Sequence, residues 1–255
     1  MSENSPEENK TPSEYDAALE RIRSLRGRFY KAQCTFYAFE GMQELIARDV
    51  VGDDQAEKNS HTINTFRNFF IPARESLRIN FFLELAKIFD ASDQALHITK
   101  VVNYVDRHRE TLTAEALKKH GGFFENRRVD KEMIDQYLGV KNEDLLEIRS
   151  LLATHEKTIE ELKTYRDSWL AHDDIQKPEP PKIDRPEIIG LFELLKKILN
   201  TLTGKLSSES MMWDHVERDV KHHTKLVIEY LQRFEPYRIK EIEADLDKEF
   251  NKLPH

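Results

Sequence analysis

The sequence predicts an all-α protein, a helical bundle of long antiparallel helices with short helical insertions. Three observations carry that reading. Only 8 Gly and 9 Pro interrupt 255 residues, of which 34% are charged, a balance that suits long helices. Few runs alternate with the period of two that a half-buried strand needs. Apolar residues recur instead at steps of three and four, most clearly between Asn142 and Asp174.

Residues 1–12 are polar and acidic with two prolines, which predicts a disordered tail ahead of a single helical domain over 13–255. A first helix is expected from about Ser13 to Val51, with Glu14 and Asp16 in its first turn. Gly52-Asp53-Asp54 signals a turn. A second helical stretch follows, with Ile63, Phe66, Phe70, Leu77, Phe81, Leu85 and Phe89 on roughly one face. Pro72 is expected to kink it or to start a new helix, because the proline ring clashes with the preceding turn. Shorter helices are expected over His97–Arg107, Thr113–Lys119 and Asp130–Leu138, the last capped by Gly139.

The central helix is expected to start on Asn142 and to run to the proline-rich break after His172. Leu145, Ile148, Leu152, Ile159, Leu162 and Trp169 form its stripe, and His155 and Arg166 break the apolar rule on that stripe. Asp184 and Glu187 have capping-box spacing and open a helix carrying Ile188, Phe192, Leu195, Leu199 and Leu202 up to Gly204. A last long helix holds Val216, Val220, Val227, Tyr230 and Phe234. Pro236 marks a bend, and Ile239, Ile242, Leu246 and Phe250 continue the pattern.

Composition limits the function classes. A net charge of −8 argues against a protein that coats nucleic acid through bulk electrostatics. One cysteine, Cys34, excludes an internal disulfide framework and a Cys-based zinc site. With no 18-residue apolar run and no apolar signal core, a soluble cytoplasmic protein without membrane contact is expected. There is no Gly-rich phosphate loop, no Gly-x-Ser-x-Gly and no His-Glu-x-x-His. His215, Asp219 and His222 or His223 have metal-compatible spacing on one helix, but a polar helix face explains them more simply. No metal and no cofactor are expected. Arg21, Arg23, Arg26, Arg28 and Lys31 form a basic run with no acid between them. That run is either a solvated helix face or a surface for an anionic ligand such as RNA.

The segment Arg166-Asp167-Ser168-Trp169-Leu170-Ala171-His172 concentrates the chemistry. An arginine in a packing seam must be paired, at an edge or lining a cleft. Arg149 with His155, and Arg218-Asp219 with His223, also meet an Arg-x(4–5)-His spacing. Only the Arg166 copy adds the Ala-His-x-Asp ending and a helix terminus. On an ideal α-helix Arg166 and His172 lie about 120° and about 9 Å apart, so a two-fold partner would be needed to complete one cleft.

Arg166-Asp167 followed by Ala171-His172 and Asp174 resembles the Arg-x(4–6)-His signature of the HEPN superfamily, and more narrowly its abortive-infection U-type members. Ser76 to Asp90, with Leu77, Leu85, Ala86, Phe89 and Asp90, is similar to that family as well, so the resemblance covers most of residues 15–235. It implies a metal-independent endoribonuclease, acting as a homodimer in phage defence or beside an antitoxin. His172 would manage the proton transfers, Arg166 would hold the scissile phosphate and Asp167 would orient one of them. DNA would not be a substrate. Some HEPN toxins carry a Tyr two residues after the His, modified by a partner nucleotidyltransferase; here that position is Asp174. A non-catalytic helical adaptor or nucleotide-sensing module is the alternative.

Overall fold

The computed structural model describes residues 13–92, 94–113, 138–170 and 181–250, the side chains of 170, 249 and 250 excepted. Every regular element among them is helical: α1 (Glu14–Glu44), α2 (Arg48–Val51), α3 (Asp53–Thr65), α4 (Arg67–Phe89), α5 (Ile98–Arg107), α6 (Asn142–Thr154), α7 (Glu156–Tyr165), a π-helical turn (Arg166–Leu170), α8 (Arg185–Ser207) and α9 (His215–Phe250). The all-α expectation holds. The expected tail at 1–12 and the expected helices over 113–119 and 130–138 fall wholly or almost wholly outside the described residues.

The described residues pack as two compact units: those up to Ala32 with Phe82–Trp213, and Gln33–Phe81 with the residues from Asp214 onward. The first is built on α8. Its capping box forms as the sequence suggests: Asp184 Oδ1 accepts from Glu187 N at 2.9 Å, and Glu187 Oε2 accepts from Asp184 N at 2.8 Å. That satisfies two backbone donors at the helix start. Ile188, Phe192, Leu195, Leu199 and Leu202 are all buried. The helix passes Gly204 and ends on Ser208, whose φ of 54° is the left-handed cap. Phe29 of α1 packs between Phe192 (5.6 Å) and Trp213 (4.7 Å), in tilted and edge geometries that suit aromatic rings. Gly139 (φ +88°) donates its N–H to the Lys205 carbonyl at 2.8 Å, a backbone conformation costly for a residue with a Cβ.

In the second unit Met42, Leu45, Phe70 and Ile228 form a core, with Ile63, Phe66, Leu77 and Leu231 packed on it. Two boundaries differ from expectation. The first helix stops at Glu44, because the Leu45 carbonyl is taken by Asn59 Nδ2 at 2.7 Å. Asn59 is almost fully buried, and its oxygen accepts from Gln55 and Gln232, both at 2.8 Å. The second break falls at Phe66, where the backbone turns (φ −109°, ψ 30°), and Pro72 is carried inside α4. α9 likewise runs through Pro236 as one 36-residue helix. Its expected stripe is only partly covered. Val216 is buried, whereas Val227, Tyr230 and Phe234 are each more than half exposed. Ile239, Ile242 and Leu246 also stay open, at 45–49%.

The largest correction concerns the central helix, which is two helices rather than one. His155 caps α6 and precedes α7 with φ −103° and ψ 9°. Its Nδ1 sits 2.9 Å from the Leu151 carbonyl. The ring satisfies an acceptor that the helix end would otherwise leave open. The polar residue on the stripe is therefore a break. Lys141, not Asn142, is the N-cap, with Lys141 N donating to Asp144 Oδ2 at 2.8 Å.

Candidate functional site

α7 leads directly into the π-helical turn that starts at Arg166. Two buried groups hold the approach: Leu162, 1% exposed, and Tyr165, whose ring lies 4.6 Å from Phe82. A π-helical turn inserts an extra residue into the ladder, and such turns are frequent at functional sites. It also shifts the angular spacing of Arg166–Leu170 away from that of an ideal α-helix.

The Arg166 guanidinium is clamped by two carboxylates. Nη1 lies 2.7 Å from Asp90 Oδ2, and Nε donates to Asp167 Oδ1 at 2.6 Å. Arg166 is 18% exposed and Asp90 27%, so both charges are largely out of water. Hydrogen bonding to Asp167 is the main influence holding the guanidinium above its ordinary pKa, against the opposing effect of burial, and the Asp167 and Asp90 charges add to it. Arg166 is thus a permanent cation. Guanidinium has five N–H donors, and among the described residues these two bonds use two of them. The rest can meet phosphate oxygens.

The sequence allows Arg166 to pair with an acid on a neighbouring helix, and names Asp90 only as part of the family resemblance; the structure identifies Asp90 as that acid. One signal was available. Asp90 directly follows α4, and a carboxylate at a helix C-terminus opposes the macrodipole unless a cation offsets it. Asp167 is where the sequence reading expects an orienting group. His172 and Asp174 lie outside the described residues.

The two rival Arg–His spacings resolve differently. Arg149 pairs with Asp106 at 2.7 Å, and His155 ends a helix. Arg218 Nε donates to Asp219 at 3.0 Å, the same adjacent-residue bond that Arg166 makes to Asp167. But Arg218 is 77% exposed. An Arg-Asp neighbour pair is therefore not distinctive; the second carboxylate and the burial are.

The basic run does not form one open cationic face. Arg21 donates to the Ala17 carbonyl at 2.8 Å and lies 4.1 Å over the Tyr104 ring. Arg26 pairs with Glu209 at 3.3 Å, Arg28 donates to the Leu96 carbonyl at 3.0 Å, and Lys31 pairs with Glu84 at 3.1 Å. Arg23 is exposed, and with Arg26, Gly27, Tyr30, Glu209 and Met211 it lines an open cleft of about 410 Å³. Among the described residues, no three of His, Cys, Asp or Glu converge as a metal site, His215, Asp219, His222 and His223 included.

A family model described as AbiU2, of the HEPN type, matches residues 13–227. The chain belongs to the AbiU2 family of HEPN proteins. No curated protein and no solved structure matches it. The AbiU2 segment starts on the residue before α1, covers the Asp90–Arg166–Asp167 clamp, and stops inside α9 at Val227. Among the described residues of this AbiU2 protein, no helix is long and apolar enough to cross a membrane.

Proposed function

We propose that this AbiU2-family protein is a metal-independent endoribonuclease of HEPN type, acting in abortive infection or beside an antitoxin. The observation that carries the reading is Arg166: a fixed cation, oriented by Asp90 and Asp167, at a π-helical turn six residues before His172. Cleavage through the ribose 2′-hydroxyl needs a base, an acid and a cation for the phosphate. His172, an imidazole that can both accept and donate a proton, supplies the proton transfers. Arg166 binds the scissile phosphate and stabilises charge that grows in the transition state. Asp167 orients Arg166. Balance is simple: the 2′-oxygen attacks phosphorus, the 5′-oxygen leaves with a proton, and a 2′,3′-cyclic phosphate remains. A homodimer completes the cleft with a second Arg166 and His172, and cytoplasmic RNA is the substrate. The test is purified protein with mixed RNA beside single-stranded DNA of equal length. RNA should be cut and DNA, which lacks the hydroxyl, should be inert. Equal cutting of both would overturn the chemistry.

The same clamp favours one other reading, a non-catalytic adaptor. Two carboxylates already neutralise Arg166, as they would if its role were to tie α4 to the end of α7. Under that reading Arg166→Ala loses stability, and wild type cuts nothing.

A further inference from the structure

The exposed apolar side chains of the second unit are not scattered. Four of them, Val227, Tyr230, Phe234 and Tyr237, follow one another on α9 at steps of three, four and three residues and are 51–64% exposed. That is the a/d rhythm of a helix pairing seam, continuing the line of Val216 and Val220. Val216 is buried, so the seam leaves its own fold partway along the helix. Large exposed aromatic rows mark interaction sites rather than ordinary surface. The row begins where the AbiU2 match stops, so it is a feature of this chain beyond the matched segment.

We infer that α9 is the surface through which two copies of this chain pair, with their seams antiparallel. The residue pattern itself selects that partner. Placing a two-fold axis beside Leu231 and Gln232 sets Val227 opposite the partner's Tyr237, and Tyr230 opposite the partner's Phe234. Every layer then joins an a position to a d position, as antiparallel helices require. The next layers outward agree. Val220 meets Ala244, and His223, an exposed imidazole, meets Glu241, an exposed carboxylate. In a parallel arrangement Glu241 would face Glu241, two like charges in one layer, so charge favours the antiparallel register. From Val220 to Ala244 the seam runs about 36 Å at 1.5 Å per residue. The four seam residues offer on the order of 500 Å² per copy, more than half of the roughly 800 Å² per partner of a stable interface, and the flanking layers must supply the remainder.

This inference goes beyond the proposed function, and its test makes no use of RNA cleavage. Sedimentation of the full chain from about 1 to 100 µM should show a dimer. Phe234→Glu and Tyr230→Glu should raise the dissociation constant at least thirtyfold, the usual effect of losing a central anchor. Both positions are more than half exposed, so helix content should not change. Glu241→Lys should weaken the dimer, and His223→Glu in the same chain should restore it. With Cys34→Ser as background, His223→Cys with Glu241→Cys should cross-link two copies. A wild-type monomer throughout would overturn the inference, as would a dimer indifferent to Phe234→Glu. Cross-linking by His223→Cys alone would contradict the antiparallel register, and a monomer whose seam is protected only by added RNA would assign the face to nucleic acid instead.

Discussion

Replacing Asp90 by Asn tests how Arg166 is held. Asn keeps the shape of the side chain and removes its charge, so the loss is the charge-assisted part of a 2.7 Å contact. Hydrogen bonds to charged groups contribute about 1.5–3 kcal/mol, and partial solvent access places this one near the lower end. Asp167 still bonds Nε at 2.6 Å, so the cation is not orphaned, and the cost stays below the roughly 3–5 kcal/mol of a broken buried pair. A loss of about 1.5 kcal/mol, read as a urea midpoint lower by about 0.5 M, is the expected outcome. Under the proposed function Asp90 acts through Arg166 as a positioning residue. Loosening one of two anchors should lower kcat about tenfold, since misplacing a catalytic group by about 1 Å costs up to a hundredfold. Steady-state cleavage of a short RNA, beside urea unfolding, reads both effects. An unchanged midpoint would refute the energetic argument. A lowered midpoint with full kcat would show that Asp90 serves the fold alone.

Other outcomes follow from single residues. Glu84 is mostly buried between Lys31 and Lys87 (3.1 and 3.3 Å); burial alone would raise its pKa, but the two lysines win and hold it below its ordinary value. A depressed carboxylate contributes stability that is present above its unfolded pKa, about 4.3, and is lost as pH falls through the lower folded value. The stability gap between wild type and Glu84→Gln should therefore be full near neutrality and close in acid, and a gap that widens in acid would reverse the sign of the argument. The Gln33 amide is fully buried, and neither its nitrogen nor its oxygen has a hydrogen-bond partner among the described residues. Gln33→Met should raise stability by about 1–3 kcal/mol in thermal unfolding, whereas a destabilised variant would reveal a bound water or partner at that amide. His155→Ala should cost about 1 kcal/mol by removing the ring from the Leu151 carbonyl, and leave RNA cleavage by the folded protein unchanged.

Much of the architecture was legible because its signals are local. The Asp184–Glu187 box and the apolar face of α8 read directly, since cap and stripe are set by residues three and four apart. Breaks made by distant partners did not read. α1 ends where Asn59 captures the Leu45 carbonyl, fourteen residues away in sequence, and no local rule anticipates that bond. His155 was noticed as a polar intruder, but the same pattern fits a cleft residue and a helix break. On α9 the periodicity reports an apolar face, not what covers it. At the candidate site, Arg166 and Asp167 were found from pattern. The Asp90 clamp was not, because Asp90 and Arg166 are far apart in sequence, and nothing in the apolar periodicity marks the π-helical turn.

The central claim is that His172 and Arg166 cut RNA through its own 2′-hydroxyl without a metal. Its most direct measurement is mixed RNA incubated with wild type and with His172→Ala, each with and without EDTA, followed by analysis of the fragment ends. The account predicts wild-type fragments carrying a 2′,3′-cyclic phosphate and a 5′-hydroxyl in either buffer, and none from a His172→Ala protein of unchanged helix content. Cleavage abolished by EDTA and restored by a divalent ion, or a His172→Ala protein that still cuts, would contradict it.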